Sequence, residues 1–267
     1  GLAWVSAVWS TSSGYAYGVG GGGLIAHHDG TGWTAMSVTS YPLHDIWGTS
    51  SSDIYAVGDV GSILHYDGAG WSAMTSGTTD DLRGVWGASP IDVYAVGINK
   101  FGGSTILHYD GTGWSEMTPA GMGRYSSVWG TSSSDVYALA VAGQISHYDG
   151  TSWSAMASGT GVELHSLWGT SSSDVYAVGD ERTILHYDGT SWNTITSGTG
   201  GSLYSLWGTS SSDVYAVGTS GTILHYDGAD WSEMTSGRSE WLYAVWGTSS
   251  GDVYVVGEQG ILLRGSR

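Results

Sequence analysis

The chain contains no cysteine. Disulfides and thiolate metal sites are therefore excluded, and the redox compartment is left open. Proline occurs three times in 267 residues, and lysine only once, as Lys100. Seven Lys and Arg stand against 24 Asp and Glu, for a formal net charge of −17. A chain so poor in cations offers no basic stripe for nucleic acid or an anionic membrane, and the acidity serves solubility. No apolar run approaches the ~20 residues of a membrane span. Initiator methionine and signal peptide are both missing, so Gly1 reads as the start of a processed or excised chain. There is no nucleophile elbow, P-loop, Rossmann glycine pattern or HExxH motif, so an enzyme is not expected and no cofactor is implied.

What the chain does have is glycine, 45 residues of it, with 15 Trp and 17 Tyr. The aromatics supply the large buried areas that a disordered glycine-rich chain lacks. They also recur. Trp9, Trp47, Trp86, Trp129, Trp168, Trp207 and Trp246 follow one another at steps of 38, 39, 43, 39, 39 and 39 residues. The clearest copy is WGTSSSDVYAVGTSGTILHYDGADWSEMTSG, from Trp207 to Gly237. A fixed period near 40, with strand and turn signals and no helical pattern, means small sheets arranged in a ring. The reading is all-β: a seven-bladed β-propeller of four-stranded antiparallel blades, occupying 1–267 as one domain.

Each repeat reads as four strands, here A to D. In the sixth they are Leu203–Trp207, Asp213–Gly218, Thr222–Tyr226 and Trp231–Thr235, separated by Gly, Ser, Asp and Thr turns. The first repeat has Tyr15 where the others open strand B with Asp, and a Gly20–Gly23 run that predicts a flexible turn. The third carries four extra residues between Gly97 and Thr105, which predicts a longer exposed loop. The seventh stops after strand C, so its blade is three-stranded. Because the chain also begins with strand A, the phase that leaves no gap puts A innermost, with an outer edge strand missing from blade seven.

The pattern WGxxxxDVYAVG…ILHYDGxxWS resembles the PLL-type bacterial lectins and the BNR and Asp-box propellers, and more distantly Kelch, across all seven repeats. In the Asp box the Trp stands five residues after the Asp, whereas Asp67 to Trp71 is one shorter. The lectin resemblance implies carbohydrate binding at repeated inter-blade sites, with aromatic platforms for sugar rings, and an extracellular or cell-surface location. The alternatives are a protein-interaction scaffold, or a recently amplified or consensus-designed repeat with no selected ligand. The partner would be a glycan or a protein. A monomer is expected, with an edge-mediated dimer as the alternative.

Repeat-locked residues are assigned to structure. The strand C histidines (His27, His65, His108, His147, His186 and His225) occur once per repeat, which cannot assemble a metal site. Each is expected to be buried and bonded to a Ser or Thr of a turn. The Asp of each HYDG is expected to bond its own turn, and no Asp run has calcium-loop spacing. The tryptophans of strands A and D are assigned to packing between blades. Residues that break the repeat carry the site. Five before the strand A Trp the series is Trp4, Pro42, Asp81, Arg124, Glu163, Ser202 and Trp241; three before it, Ser6, His44, Arg83, Ser126, His165, Tyr204 and Tyr243. Packing has not fixed these positions, so they are expected at the mouth of the channel. From them Trp4, Trp241, Tyr243, Tyr204, His44, His165 and Arg83 are taken as candidate ligand-binding residues, with no metal and no catalytic group.

Overall fold

The computed structural model describes residues 4–10, 15–117, 123–197, 201–247 and 252–266. Blade one is β1 (Val5–Ser10), β2 (Tyr15–Gly20), β3 (Leu24–Asp29) and β4 (Trp33–Ser37). Blade two is β5 (Leu43–Ser50), β6 (Asp53–Gly58), β7 (Ile63–Tyr66) and β8 (Trp71–Met74). Blade three is β9 (Asp81–Ser89), β10 (Asp92–Ile98), β11 (Ser104–Tyr109) and β12 (Trp114–Glu116). Blade four is β13 (Tyr125–Ser132), β14 (Asp135–Ala140), β15 (Gln144–Tyr148) and β16 (Trp153–Met156). Blade five is β17 (Leu164–Ser171), β18 (Asp174–Gly179), β19 (Thr183–Tyr187) and β20 (Trp192–Thr196). Blade six is β21 (Leu203–Ser210), β22 (Asp213–Gly218), β23 (Ile223–Tyr226) and β24 (Trp231–Met234). Blade seven is β25 (Leu242–Gly247), β26 (Asp252–Gly257) and β27 (Leu262–Ser266). Each blade is an antiparallel meander in chain order, six of four strands and the last of three.

Strand A is innermost. The residue two before its Trp ties neighbouring blades together: Val85 N–H donates to Asp45 Oδ2 at 2.9 Å, Leu206 N–H to Ser166 Oγ at 3.3 Å, and Val245 N–H to Ser205 Oγ at 3.2 Å. The ring closes where Trp246 Nε1–H donates to the Ser10 carbonyl at 3.1 Å. Strand B is buried from its second residue to its glycine, because each of its faces meets another blade; Ile54, Ala56, Val57, Val93, Ala95 and Val96 are fully buried.

The Trp-Gly dipeptide has a steric reason. The strand A Trp of one blade lies over the glycine that follows the Trp of the next. A β-carbon built on Gly87 would meet Trp47 at 2.6 Å, and one on Gly169 would meet Trp129 at 2.8 Å. Of these tryptophans only Trp9 and Trp207 are buried outright. Trp47, Trp86, Trp129, Trp168 and Trp246 keep partial exposure, because they line the channel's constriction rather than a closed core.

The strand C histidines correct the expectation of a Ser or Thr partner. Five of the six bond the Asp that opens strand B: His65 Nε2 to Asp53 Oδ1 at 2.8 Å, His108 to Asp92 at 2.7 Å, His147 to Asp135 at 2.7 Å, His186 to Asp174 at 2.7 Å and His225 to Asp213 at 2.8 Å. The threonine is one link further on, donating to the other carboxylate oxygen, as Thr49 does to Asp53 at 2.5 Å. Each imidazole also stacks on the strand B Tyr, with centroids 4.3–4.6 Å apart. In blade one Tyr15 replaces the Asp, and His27 Nε2 is buried with no partner among the described residues. The HYDG acids cap their own turns: Asp110 Oδ1 accepts the N–H groups of Thr112 and Gly113 at 2.8 and 3.1 Å.

The glycine run of blade one is not a looser turn. Gly22 adopts φ 63, ψ 28, where Val60, Ser220 and Gln259 hold φ 55–56 in the same B–C turn of their blades. The extra residues of blade three do form an exposed excursion, with Phe101 89% exposed at its tip.

Candidate functional site

The inner strands build the site through one repeated irregularity. Near its start strand A skips one residue in its pairing with strand B, between Leu43 and Asp45, Tyr125 and Ser127, Leu164 and Ser166, Leu203 and Ser205, and Leu242 and Ala244; a second shift follows the Trp-Gly in blades two to six. Blades one and three carry the same irregularity, at Ser6 and Arg83. A β-bulge leaves its extra residue unpaired and re-aims the side chain. The skipped residues are Ser6, His44, Arg83, Ser126, His165, Tyr204 and Tyr243, the series that breaks the repeat. The bulge also presses the preceding carbonyl against strand B, so a β-carbon on Gly58 would stand 2.1 Å from the Pro42 oxygen. That carbonyl accepts the N–H of the residue after the glycine, as Pro42 does from Asp59 at 3.0 Å and Trp241 from Glu258 at 2.9 Å.

Seven bulges around one ring turn these side chains into a shared mouth. It is an open cavity of about 660 Å³ whose lining includes Trp4, His44, Arg83, Arg124, His165, Tyr204 and Tyr243. Six of the seven candidate residues thus lie around one space. The seventh, Trp241, is 44% exposed and stands beside it, its ring 5.9 Å from that of Tyr204. Tyr204 and Tyr243 are also 5.9 Å apart, so blades six and seven present a three-ring cluster. Trp4 lies instead over Gly21 of its own blade.

The mouth has two chemical halves. In blades two to four, His44 Nε2–H donates to Asp59 Oδ1 at 2.7 Å, and Arg83 Nη1 donates to His44 Nδ1 at 3.3 Å. Burial lowers the His44 pKa, and the Arg83 charge adds to that, so the imidazole is held neutral. Arg83 pairs with Asp81 at 3.2 Å and Asp59 at 3.4 Å. Arg124 is exposed and forms no ion pair among the described residues. In blades five to seven, His165 Nε2 bonds Asp180 Oδ1 at 2.9 Å, and Tyr243 Oη donates to Glu258 Oε1 at 3.4 Å. Burial, then the Asp180 and Glu258 charges, raise the Tyr204 pKa, and burial and Glu258 raise that of Tyr243. Both phenols stay neutral donors.

Sequence reasoning missed Asp59, Asp180 and Glu258. The signal was present: the residue after the strand B glycine also varies between repeats, as Gly21, Asp59, Ile98, Thr219 and so on, and it faces the bulged residue of its own blade. Among the described residues no group of three or more His, Cys, Asp or Glu side chains is placed to hold a metal.

From blade one to blade six the inter-blade grooves are filled: the strand D Trp of blades two to six covers the strand B Tyr of the blade before it, as Trp71 meets Tyr17 edge-on at 6.2 Å, Trp114 meets Tyr55 at 6.5 Å and Trp231 meets Tyr176 at 6.5 Å.

No family model matches the chain. No curated protein matches it either. Solved structures do. A YCF48 structure described as bound to D1 peptide superposes with a TM-score of 0.80 at 16% identity, over 99% of this chain and 92% of that one. YCF48 from Cyanidioschyzon merolae gives 0.77 at 15% identity, over 99% and 96%. The WD40 β-propeller domain of Doa1 gives 0.81 at 12% identity, over 98% and 92%. At such identities the likeness is one of fold: a seven-bladed propeller.

Proposed function

We propose that the chain is a protein-interaction propeller whose channel mouth holds a peptide segment of a partner. The observation that carries this reading is the convergence of the repeat-variable residues on one open cavity, while the rest of each repeat is spent on packing. The mouth suits an extended segment with unlike ends. A carboxylate fits the Arg124 side, where a cation is unpaired. An aromatic or long apolar side chain fits the opposite cluster of Tyr204, Trp241 and Tyr243. A propeller of similar fold described as peptide-bound supports the reading. The lectin reading draws less support, because the tryptophans it needs as sugar platforms are packed into the seams, Trp153 and Trp192 only 8% exposed.

The test is selection of a displayed random-peptide library on the immobilised protein, followed by anisotropy titration of the enriched peptides. Enriched sequences should carry an acidic residue and an aromatic one. Arg124→Glu and Tyr204→Ser should each weaken binding by tenfold or more, the loss expected when a charged or aromatic anchor is removed. Equal affinity for the parent protein and both variants would overturn the assignment.

A further inference from the structure

Below the mouth the channel narrows to a neck, and one side chain there differs from all its counterparts. The neck is a cavity of about 200 Å³ to which all seven blades contribute. Its wall is largely aromatic, with Trp47, Trp86, Trp129, Trp168 and Trp246 each partly exposed to it. Two residues before the Trp, six blades carry Ala, Gly or Ser, and blade two carries Asp45. The position asks only for an acceptor. Ser166 and Ser205 take the N–H groups of Leu206 and Val245 with a hydroxyl, as Asp45 Oδ2 takes that of Val85. The contact between blades two and three therefore gives no reason for a charge. Asp45 Oδ1 accepts the Ile46 N–H at 2.9 Å, and a carboxylate so bonded keeps acceptor capacity on both oxygens. Among the described residues no cation pairs with it. Arg83, on the neighbouring strand β9, is engaged by Asp81 and Asp59, and His44, beside it on β5, by Asp59. Desolvation opposes ionisation of Asp45, so its unpaired charge is costly at neutral pH and above.

We propose that the neck is a binding site for a small organic ammonium ion, held by the Asp45 carboxylate among the indole rings. Aromatic rings attract ammonium and alkylammonium groups, Trp most strongly, and the attraction grows as water is excluded. The other ligand classes fit less well. A divalent metal ion wants several oxygen ligands, and the neck offers one carboxylate, with no metal-holding group among the described residues. A neutral ligand would leave the charge unpaired, and an anion would meet it. The ammonium group is common to free amines and to the tip of a lysine side chain reaching down from the mouth. The argument rests on Asp45 and the neck, so its failure would leave the peptide reading of the mouth untouched. Binding is coupled to a proton. An opposite charge favours the ionised carboxyl, so a cation arriving at protonated Asp45 expels its proton, and affinity rises with pH. The groups on the elements around β5 do not supply that response. His44 is already held neutral, Arg83 stays charged, and Asp59 and Asp81 are engaged by Arg83. Asp53 is bonded to His65, and burial keeps Tyr17 and Tyr55 neutral.

The probes are tetramethylammonium, whose charge does not depend on pH, and butylammonium, each as the chloride against potassium chloride at equal ionic strength. Calorimetry on the intact chain at pH 8 should give one site, and both ions should raise the melting temperature saturably beyond the potassium control. Tetramethylammonium should bind at least about fivefold more weakly at pH 5, where the carboxyl is protonated. Titrations at pH 6.5 in two buffers of unlike ionisation heat should show proton release on binding, which a general salt effect would not produce. Asp45→Ser, and Asp45→Asn, which keeps the size and an acceptor for Val85 N–H, should each weaken binding about tenfold or more, as loss of a buried charge partner does. A capped lysine that binds more tightly than butylammonium would support the site and assign it to a partner's side chain. Butylammonium bound with the capped lysine refused would support it and assign it to a free amine. No binding at tens of millimolar, an equal response to potassium, or equal affinity in the parent and both variants would overturn the proposal.

Discussion

Glycine carries two opposite meanings in this chain, and the difference is measurable. Gly169 has ordinary backbone angles, but a β-carbon there would stand 2.4 Å from the Asp174 oxygen and 2.8 Å from Trp129. It is needed for the approach of one blade to the next, not for its conformational freedom. Gly161 has nothing within 4 Å of a built β-carbon. Gly169→Ala should therefore cost about 1–3 kcal/mol, as overpacking does. Gly161→Ala should lie within about 0.5 kcal/mol of the parent, or stabilise slightly by restraining the unfolded chain. Chemical denaturation of both variants checks this; equal losses would mean that the Trp-Gly seat has room to spare. The sequence displayed the Trp-Gly dipeptide in six of seven repeats, but its reason spans two blades, so no single repeat reveals it.

The strand B–strand C pair is tied by a chain of groups rather than by one bond. Asp accepts from His, and His stacks on Tyr, in blades two to six alike, and a Thr donates to the same Asp in blades two, four, five and six, where blade three has Ala88 instead. The Asp and His were legible as repeated positions, yet their pairing was not. They are 12 residues apart across a turn, as in Asp53 and His65, and only the register of β6 on β7 brings them together. Blade one is a natural deletion of this network. Its His27 lacks the carboxylate, and burial lowers the His27 pKa, with the nearby Asp29 charge opposing. Tyr15→Asp should restore the missing acceptor at the 37%-exposed Tyr15 position and raise stability by about 0.5–1.5 kcal/mol, the net worth of a hydrogen bond. Asp135→Ala should do the reverse in blade four and cost about 1–3 kcal/mol, because His147 and Thr131 lose their shared partner. Urea denaturation of the two variants gives the signs. A neutral Tyr15→Asp would show that the Tyr15 ring, stacked 5.9 Å from His27, already compensates.

The ring, its seven blades, the innermost strand and the short last blade were all legible, because a period repeated seven times leaves one arrangement that closes. The candidate site was half legible. Variation picked out His44, Arg83, Tyr204 and Tyr243, but the bulges that aim them and the acids that hold them come from pairing between strands. One member of the inner ring stands apart chemically. Where blades four to six carry Ser127, Ser166 and Ser205, blade two carries Asp45, which faces the channel's constriction. Desolvation pushes its carboxyl up to about 7, against the N–H groups of Val85 and Ile46 that favour the ionised form. The folded state then binds a proton that the unfolded state releases between about pH 4 and 7, so this residue makes stability fall as pH rises through that window. The turn acids act with the opposite sign. Threonine hydroxyls and backbone N–H groups hold Asp29, Asp110 and Asp149 at about 2, so their contribution is complete above about pH 4 and is lost as pH falls toward 2. Thermal stability should therefore peak near pH 4–5 and decline on both sides. Asp45→Ser keeps an acceptor for Val85 N–H, as Ser166 does for Leu206, and removes the buried charge. It should raise stability at pH 8 by about 1–3 kcal/mol, less than the full shift implies because the constriction admits water, and change little at pH 4. Melting curves of both proteins from pH 3 to 9 decide it. If the variant keeps the parent's decline above pH 5, repulsion among the remaining acids of a chain at −17 sets that limb instead.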